Sequence, residues 1–138
     1  MELTADMLIP ASQPVAGRCL ALSAPISFWG GVDPRSGEII DARHPQRGRN
    51  IAGTVLALPG TIGSSSASAV LLELVHAGRA PSALLMDEPD AILLLGLIVA
   101  REMGWPTPPA FRLAASEQKG LDGLMLQLSA QGHLTVTD

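Results

Sequence analysis

The sequence predicts one domain of mixed α/β class, in which helices cover a mixed sheet. Three observations lead to this prediction. Apolar runs of strand length precede, separate and follow two segments with the 3.6-residue repeat of a helix. The chain has 138 residues, the size of a single domain, and 47% of them are hydrophobic, enough for a buried core. Its 14 glycines and 11 prolines predict short elements joined by tight turns.

The first third of the chain predicts one strand followed by a long loop region. Residues 1–14 are expected to form a loosely tied lead-in. Residues 15–22 are apolar and end before a proline, which favours a strand. Residues 23–48 are dense in glycine and other turn formers, so we expect no helix there and only a short strand at 38–41.

The middle of the chain predicts a buried strand and a helix. Residues 53–58 are aliphatic and β-branched, and Pro59 and Gly60 follow them, so we expect a strand that is buried on both faces. Between residues 67 and 75, apolar side chains recur with helical spacing. Gly78 then follows in the position of a C-terminal cap.

The last third predicts two more strands, a helix and a hairpin. Residues 82–87 and 110–113 read as strands, and 124–128 with 134–136 as a terminal hairpin. Residues 89–103 predict a helix that is apolar nearly all round. We therefore expect it to be buried inside the domain or against a partner.

Composition excludes several classes of function. The net charge of −4 and the 3% aromatic content argue against binding to nucleic acid. Every apolar run is shorter than the roughly 20 residues of a membrane-spanning helix, and the acidic start differs from an export signal, so we expect a cytoplasmic protein. The lone cysteine, Cys19, can build neither a disulfide nor an iron–sulfur or cysteine-rich zinc site, so no metal site is predicted and any cluster must come from another chain.

The densest chemical signal is the segment 59–68, whose first part, residues 59–66, is here called the serine turn. Two glycines permit a tight bend after a strand, and Ser64, Ser65 and Ser66 stand where the next helix begins. Free backbone N–H groups and the positive end of the helix dipole favour a carboxylate, a phosphate or a serine alkoxide at such a place. The alternative is a helix that is simply capped by serine.

Three known types of glycine-rich loop can be compared with the serine turn. A nucleotide-binding P-loop needs a lysine here, and the only lysine of the chain is Lys119, so a kinase or ATPase is disfavoured. A hydrolase nucleophile elbow fits except that Ala67 replaces its second glycine; such an enzyme would also need one of the three histidines and a larger sheet. A phosphohistidine domain needs a histidine in the loop, where this chain has none.

Two charged clusters flank these elements. The basic one lies between residues 35 and 49 and could attract an acidic substrate or partner, or be a solvated loop. Its members are Arg35, Arg43, His44, Arg47 and Arg49. The acidic cluster at residues 87–90 begins a predicted helix, where carboxylates complement the helix dipole, so we interpret it as structural rather than metal-binding.

The combined motifs of residues 16–108 resemble the small subunit of the aconitase X family. They comprise the glycine-rich run 27–34, the segment 37–45, the Gly-Ser-Ser at 63–65 and the segment 78–81. The resemblance implies a swivelling β/β/α domain spanning residues 1–138. It also implies a hydro-lyase in which a large catalytic subunit carries an iron–sulfur cluster and this chain acts on a small carboxylate substrate.

The resemblance also implies the roles of individual residues. Ser64 matches the serine that serves as the base in aconitase-like enzymes, so it is the predicted catalytic residue. Ser66 stands where aconitase has an arginine, so other residues must recognise the substrate carboxylate. Around Ser64, the predicted substrate-binding residues are Ser65, Ser66, Gly30, Gly31 and Asp33.

Two substrates are associated with this family, and two kinds of function remain open. The substrates are cis-3-hydroxy-L-proline, which we favour because the chain lacks the lysine enrichment of archaeal thermophiles, and phosphorylated mevalonate. The competing function is a non-catalytic swivel domain that binds a partner or an anionic metabolite at the serine turn.

Overall fold

The computed structural model describes residues 2–63 and 66–137, and it confirms the α/β class with a mixed sheet. The described part of the chain forms one eight-stranded sheet in the order β1-β8-β7-β3-β4-β5-β6-β2. The strands are β1 Glu2–Thr4, β2 Asp6–Ile9, β3 Val15–Ala21, β4 Val55–Leu58, β5 Ala83–Met86, β6 Ala110–Arg112, β7 Met125–Leu128 and β8 His133–Val136. The helices are α1 Phe28–Gly31, α2 Ala67–Ala77, α3 Ala91–Glu102 and α4 Ala115–Gln118, the last followed by a 3-10 turn at Lys119–Leu121.

The centre of the sheet is parallel and its flanks are antiparallel. Strands β3, β4, β5 and β6 run parallel to one another, while β7 pairs antiparallel with β3 and with β8. β3 serves both parts, because residues 15–18 pair with β7 and residues 19–21 pair with β4. The carboxyl ends of the four parallel strands therefore meet at one edge of the sheet.

Alternating side chains of the parallel strands build two cores. Leu56, Leu58 and Leu84 point to the face covered by α2 and α3. Val55 and Leu85 point to the opposite face, where the β7–β8 hairpin packs. All four residues of β4 are buried, as the apolar run predicted. The three layers are thus the helices, the parallel strands and the antiparallel β7–β8 hairpin at the other end of the same sheet, the β/β/α arrangement that the resemblance implied.

The two long helices follow the sequence prediction closely. Gly78 ends α2 with φ +71°, a left-handed conformation that glycine adopts without strain. In α3, Leu93, Leu97 and Ala100 face the core. The two helices approach closely at Gly96, since a Cβ atom there would lie 3.0 Å from the Cβ of Ser68.

One face of α3 is exposed in this chain, so the prediction that the helix is buried inside the domain was wrong, while the alternative of burial against a partner stays a prediction. Ile92, Leu95, Ile98 and Val99 are 38–57% exposed in this chain. Their spacing places them on the side of α3 that faces away from the sheet.

Within residues 2–63 and 66–137, no helix is both long enough and apolar enough to cross a membrane.

The prediction of a loosely tied lead-in at residues 1–14 was wrong. β1 pairs with β8, and β2 pairs with β6, so the N-terminal segment supplies both outer strands of the sheet. Ala5, between them, is buried and donates its N–H to the carbonyl of Gly132. Edge strands this short are held by partners more than 100 residues away along the chain, which local composition does not reveal.

The loop region 23–48 is largely irregular, as expected, but the expectation of no helix there was wrong, because the short helix α1 lies within it. α1 is a four-residue turn interrupted by non-helical backbone at Trp29 and Gly30. The predicted strand at 38–41 is reduced to isolated bridges, Ile39 with Val32 and Glu38 with Asn50. α1 packs against α2, which brings this loop region to the helical side of the sheet.

Candidate functional site

An open cleft lies at the edge of the sheet where the parallel strands end. One wall is formed by Pro59, Gly60, Thr61 and Gly63 of the serine turn, and the other is the segment 87–92 between β5 and α3. The volume of this edge cleft is about 590 Å³. In parallel α/β sheets, ligands bind beyond the carboxyl ends of the strands, so the edge cleft is where chemistry is expected.

Two hydrogen bonds fix the chain just before the serines. The N–H of Ile62 donates to the carbonyl of Ile26 (3.0 Å), and Thr61 forms a parallel bridge with Ile26. The Thr61 hydroxyl donates to Oδ2 of Asp90 across the cleft at 2.7 Å. The serine turn is therefore tied both to the loop before α1 and to the start of α3.

The acidic segment 87–90 acts structurally, as interpreted from the sequence. Oδ1 of Asp90 accepts the N–H groups of Ile92 (2.9 Å) and Leu93 (3.2 Å) and so caps α3. Oδ1 of Asp87 accepts the N–H of Ala115 at 2.9 Å. In the described ranges, no three His, Cys, Asp or Glu side chains come together in a group that could hold a metal ion.

The serine turn leads into the amino end of α2. Ser66 is half-buried at the N-cap position, and its carbonyl accepts the N–H groups of Ala69 and Val70. Helix geometry leaves the N–H groups of Ala67 and Ser68 without an acceptor inside α2, as is usual in the first turn of a helix. The predicted base Ser64 and its neighbour Ser65 lie outside the described residues.

The two glycines predicted to bind substrate differ in their surroundings. Gly30 is exposed, with φ +79°, and among the described residues nothing lies within 4 Å of where its Cβ would be. Gly31 is buried, and a Cβ on it would lie 3.2 Å from Cγ1 of Ile26. The carbonyl of Gly31 accepts the N–H of Ile40 at 2.8 Å. Gly30 is open to a ligand, whereas Gly31 sets the packing of the turn.

Asp33 is engaged within its own turn. Its Oδ1 accepts the N–H of Arg35 at 2.9 Å and lies 3.5 Å from the Arg35 guanidinium. That backbone hydrogen bond, followed by the charge of Arg35, lowers the pKa of the Asp33 carboxyl below its ordinary value. Asp33 is thus an anion that shapes the loop 33–38.

The basic cluster divides into a buried histidine and exposed arginines. His44 is only 6% exposed; its Nε2 contacts the carbonyl of Ala24 at 3.0 Å, and its Nδ1 accepts the N–H of Gln46. His44 is therefore a structural link rather than part of a basic surface. Arg35, Arg43, Arg47 and Arg49 are all exposed.

Gln46, which the sequence did not single out, fixes the loop that carries the basic cluster to the edge of the sheet. Its Nε2 donates to the carbonyl of Ala21 (2.9 Å), and its Oε1 accepts the N–H of Ser23 (3.0 Å). The exposed residue Arg47 follows Gln46 directly in the chain. A glutamine in a turn-rich loop gives no local signal of such a contact.

Cys19 is unsuited to hold a metal. Its side chain is 2% exposed, in the core between the parallel strands and the β7–β8 hairpin. Burial, with a smaller contribution from the negative charge of Asp122, raises the pKa of the Cys19 thiol to about 12. An iron–sulfur cluster needs several cysteine ligands, and this chain has one cysteine, which is buried, so the described residues do not fit such a cluster.

The profile of the aconitase X swivel domain matches residues 4–134, nearly the whole chain. The chain belongs to the aconitase X swivel domain family. This agrees with the three layers of the fold and with the resemblance of the serine turn and the glycine-rich loop.

Two relatives illustrate the range of the family. The chain is 50% identical over 102 residues to cis-3-hydroxy-L-proline dehydratase of Pseudomonas aeruginosa; this match covers 72% of the chain but only 18% of the length of that relative. It is 38% identical over 94 residues to the phosphomevalonate dehydratase small subunit of Methanopyrus kandleri, a match that covers 68% of this chain and 70% of that subunit.

A solved structure has the same fold. The chain superposes on aconitase X of Thermococcus kodakaraensis, crystallised in its holo form, with a TM-score of 0.86 at 27% identity. The superposition covers 100% of this chain and 99% of the other. The swivel-domain fold predicted from the sequence is confirmed.

Proposed function

We propose that this chain is the small subunit of a two-chain hydro-lyase that dehydrates cis-3-hydroxy-L-proline. The observation that carries the proposal is the family match together with the 50% identity to the P. aeruginosa dehydratase. The edge cleft supports it, because Thr61 and Gly63, just before Ser64 in the chain, line an open space large enough for a small carboxylate. We assign the complex to the cytoplasm.

Ser64 is the proposed general base. A serine hydroxyl is a weak base in water, so it needs donors that stabilise its oxygen as an anion. The unpaired N–H groups of Ala67 and Ser68 and the positive end of the α2 dipole, equivalent to roughly half a charge, are such donors. Thr61 and Gly63, which precede Ser64 in the chain, line one wall of the cleft.

The proposed reaction is an elimination of water. Ser64 takes the proton from the carbon that bears the carboxylate, and the electron pair of that C–H bond forms a C=C bond. The C–O bond to the β-hydroxyl breaks, and the departing hydroxide takes up a proton to leave as water. The resulting enamine becomes Δ1-pyrroline-2-carboxylate by moving a proton from nitrogen to carbon. We assign the Lewis acid at the departing hydroxyl to an iron–sulfur cluster of the large subunit, since this chain does not fit one.

The substrate would be held by residues on both sides of Ser64 in the chain. Ser65 and Ser66 offer hydroxyl groups, and the exposed backbone at Gly30 permits close approach. Gly31 and Asp33 act through the shape of the loop 27–38. Because Ser66 replaces the arginine of aconitase, the substrate carboxylate needs another cation, and the arginines next to the Gln46 anchor are the proposed source.

Phosphomevalonate is the second candidate substrate. The M. kandleri relative favours it, because that protein is itself named a small subunit and the match covers a similar share of both chains. The higher identity to the P. aeruginosa enzyme favours hydroxyproline. A swivel domain that only binds an anion or a partner is the non-catalytic alternative.

Purification of this chain with its large subunit tests the proposal. We expect the complex to consume cis-3-hydroxy-L-proline and release water, while each chain alone is inactive. Turnover of phosphomevalonate instead would identify the second substrate. If the complex assembles with its cluster and acts on neither compound, the hydro-lyase proposal is wrong and the non-catalytic alternative gains support.

A further inference from the structure

The hydrogen bond between Thr61 and Asp90 joins the two walls of the edge cleft. The Thr61 hydroxyl and Oδ2 of Asp90 are 2.7 Å apart, within the usual range for an O–H···O⁻ bond, and both residues are half-buried. Thr61 lies three residues before Ser64. Asp90 lies at the start of α3, on the far wall.

Asp90 is a fixed anchor because both of its oxygens are occupied. Oδ1 caps α3 through the N–H groups of Ile92 and Leu93, and Oδ2 receives Thr61. α3 is in turn held by Leu93 and Leu97, whose side chains are fully buried. The Thr61 side chain is therefore fastened to a rigid helix rather than to another loop.

The backbone on the other side of Thr61 is held as well. Ile62 donates its N–H to Ile26, and Thr61 bridges the same residue. The side-chain hydrogen bond fixes Thr61 relative to Asp90 on the opposite wall of the cleft. The backbone contacts fix Thr61 and Ile62 relative to Ile26. Together they hold the backbone at Thr61 and Ile62, just before the serines.

We propose that Thr61 and Asp90 are positioning residues that hold the serine turn at the geometry needed for proton abstraction. This inference rests on the proposed function, in which Ser64 is the base. Neither residue needs to touch the substrate. Because a misplacement of about 1 Å can slow a reaction by about 100-fold, loss of the bond should lower kcat by about 10- to 100-fold and leave KM within about threefold.

The test compares variants within the purified two-chain complex, with cis-3-hydroxy-L-proline as substrate. Thr61→Val removes the hydroxyl but keeps the side-chain shape, and Thr61→Ser restores the hydroxyl. The matched control is Thr54→Val, which removes a bond of similar length, from Thr54 Oγ1 to the carbonyl of Ile51 (2.8 Å), at the opposite end of β4. Asp90→Ser retains an N-cap but is too short to reach Thr61.

Substrate deuterated at the carbon next to the carboxylate gives a readout that a purely structural role would not move. We expect a larger isotope effect on kcat in Thr61→Val and Asp90→Ser, because proton abstraction becomes slower relative to other steps. Thr61→Ser should recover at least a third of the wild-type kcat. Thermal unfolding of each complex separates this effect from loss of stability, with Thr61→Val and Thr54→Val expected to unfold within a few degrees of each other.

The outcomes separate this inference from the proposed function. If Ser64→Ala retains turnover, the base is not Ser64 and both fail. If Ser64→Ala is inactive while Thr61→Val and Thr54→Val lower kcat equally, with unchanged isotope effects, the positioning inference alone is overturned. Should Thr61→Val fail to fold, the kcat and isotope effect of Asp90→Ser decide by the same criterion.

Discussion

The contact between α2 and α3 at Gly96 predicts how an added methyl group changes stability. In Gly96→Ala, the new Cβ would lie 3.0 Å from Cβ, 3.1 Å from the carbonyl oxygen and 3.2 Å from Cα of Ser68. Two of these atoms are backbone and cannot move aside alone. Overpacking of this kind lowers the free energy of unfolding by about 1–3 kcal/mol, while replacing glycine by alanine inside a helix returns about 1 kcal/mol.

The net expectation for Gly96→Ala is a loss of about 1 kcal/mol, or a fall in Tm of about 3–4 °C for a domain of this size. Urea and thermal unfolding, followed by circular dichroism, measure it. The control is Gly120→Ala, since no described atom lies within 4 Å of where that Cβ would be. If Gly96→Ala is as stable as Gly120→Ala or more stable, the close approach of the two helices is not as described.

Two further predictions concern the buried thiol of Cys19 and the two faces of α3. The raised pKa of Cys19 means that the folded thiol stays protonated to about pH 12, whereas an unfolded thiol ionises near 9.0; the free energy of unfolding should therefore fall as pH rises from about 9 to about 12. Cys19→Ala should lack this part of the pH dependence of the free energy of unfolding. Ellman's reagent at pH 7.5 should react with Cys19 only after unfolding, and rapid labelling of the native chain would contradict the burial of the thiol. On α3, Leu97→Ala should lower the free energy of unfolding by about 2–5 kcal/mol, whereas Leu95→Gln, on the exposed face, should change it by less than about 0.5 kcal/mol. Urea titration measures both, and equal losses would contradict the orientation of the helix.

The sequence predicted the central elements of the fold because their signals are local. The apolar run before Pro59 is buried on both faces, and the apolar spacing that ends at Gly78 is a helix with a left-handed cap. The outer strands β1 and β2 could not be predicted in this way. They are short and partly polar, and they are stabilised by distant strands rather than by their own residues.

The candidate site was predictable only in part, for a related reason. The glycine and serine pattern marked the serine turn, and the acidic segment 87–90 was interpreted as structural at the start of a helix, where the structure shows Asp90 as the N-cap of α3. The link from Thr61 to Asp90 spans 29 residues, and the anchor from Gln46 to Ala21 spans 25. Such contacts depend on which strands lie side by side. The roles of Ser64 as the base and of Ser65 in substrate binding stay predictions.

The central claim is that a serine hydroxyl of this chain removes a proton while a second chain completes the active site. Its most direct test is the turnover of cis-3-hydroxy-L-proline by a complex that carries Ser64→Ala, compared with one that carries Ser12→Ala, an exposed serine near the opposite edge of the sheet. Both complexes should assemble with the large subunit, as measured by gel filtration. We expect turnover to be lost in Ser64→Ala and retained in Ser12→Ala. Undiminished turnover by an intact Ser64→Ala complex would contradict the claim.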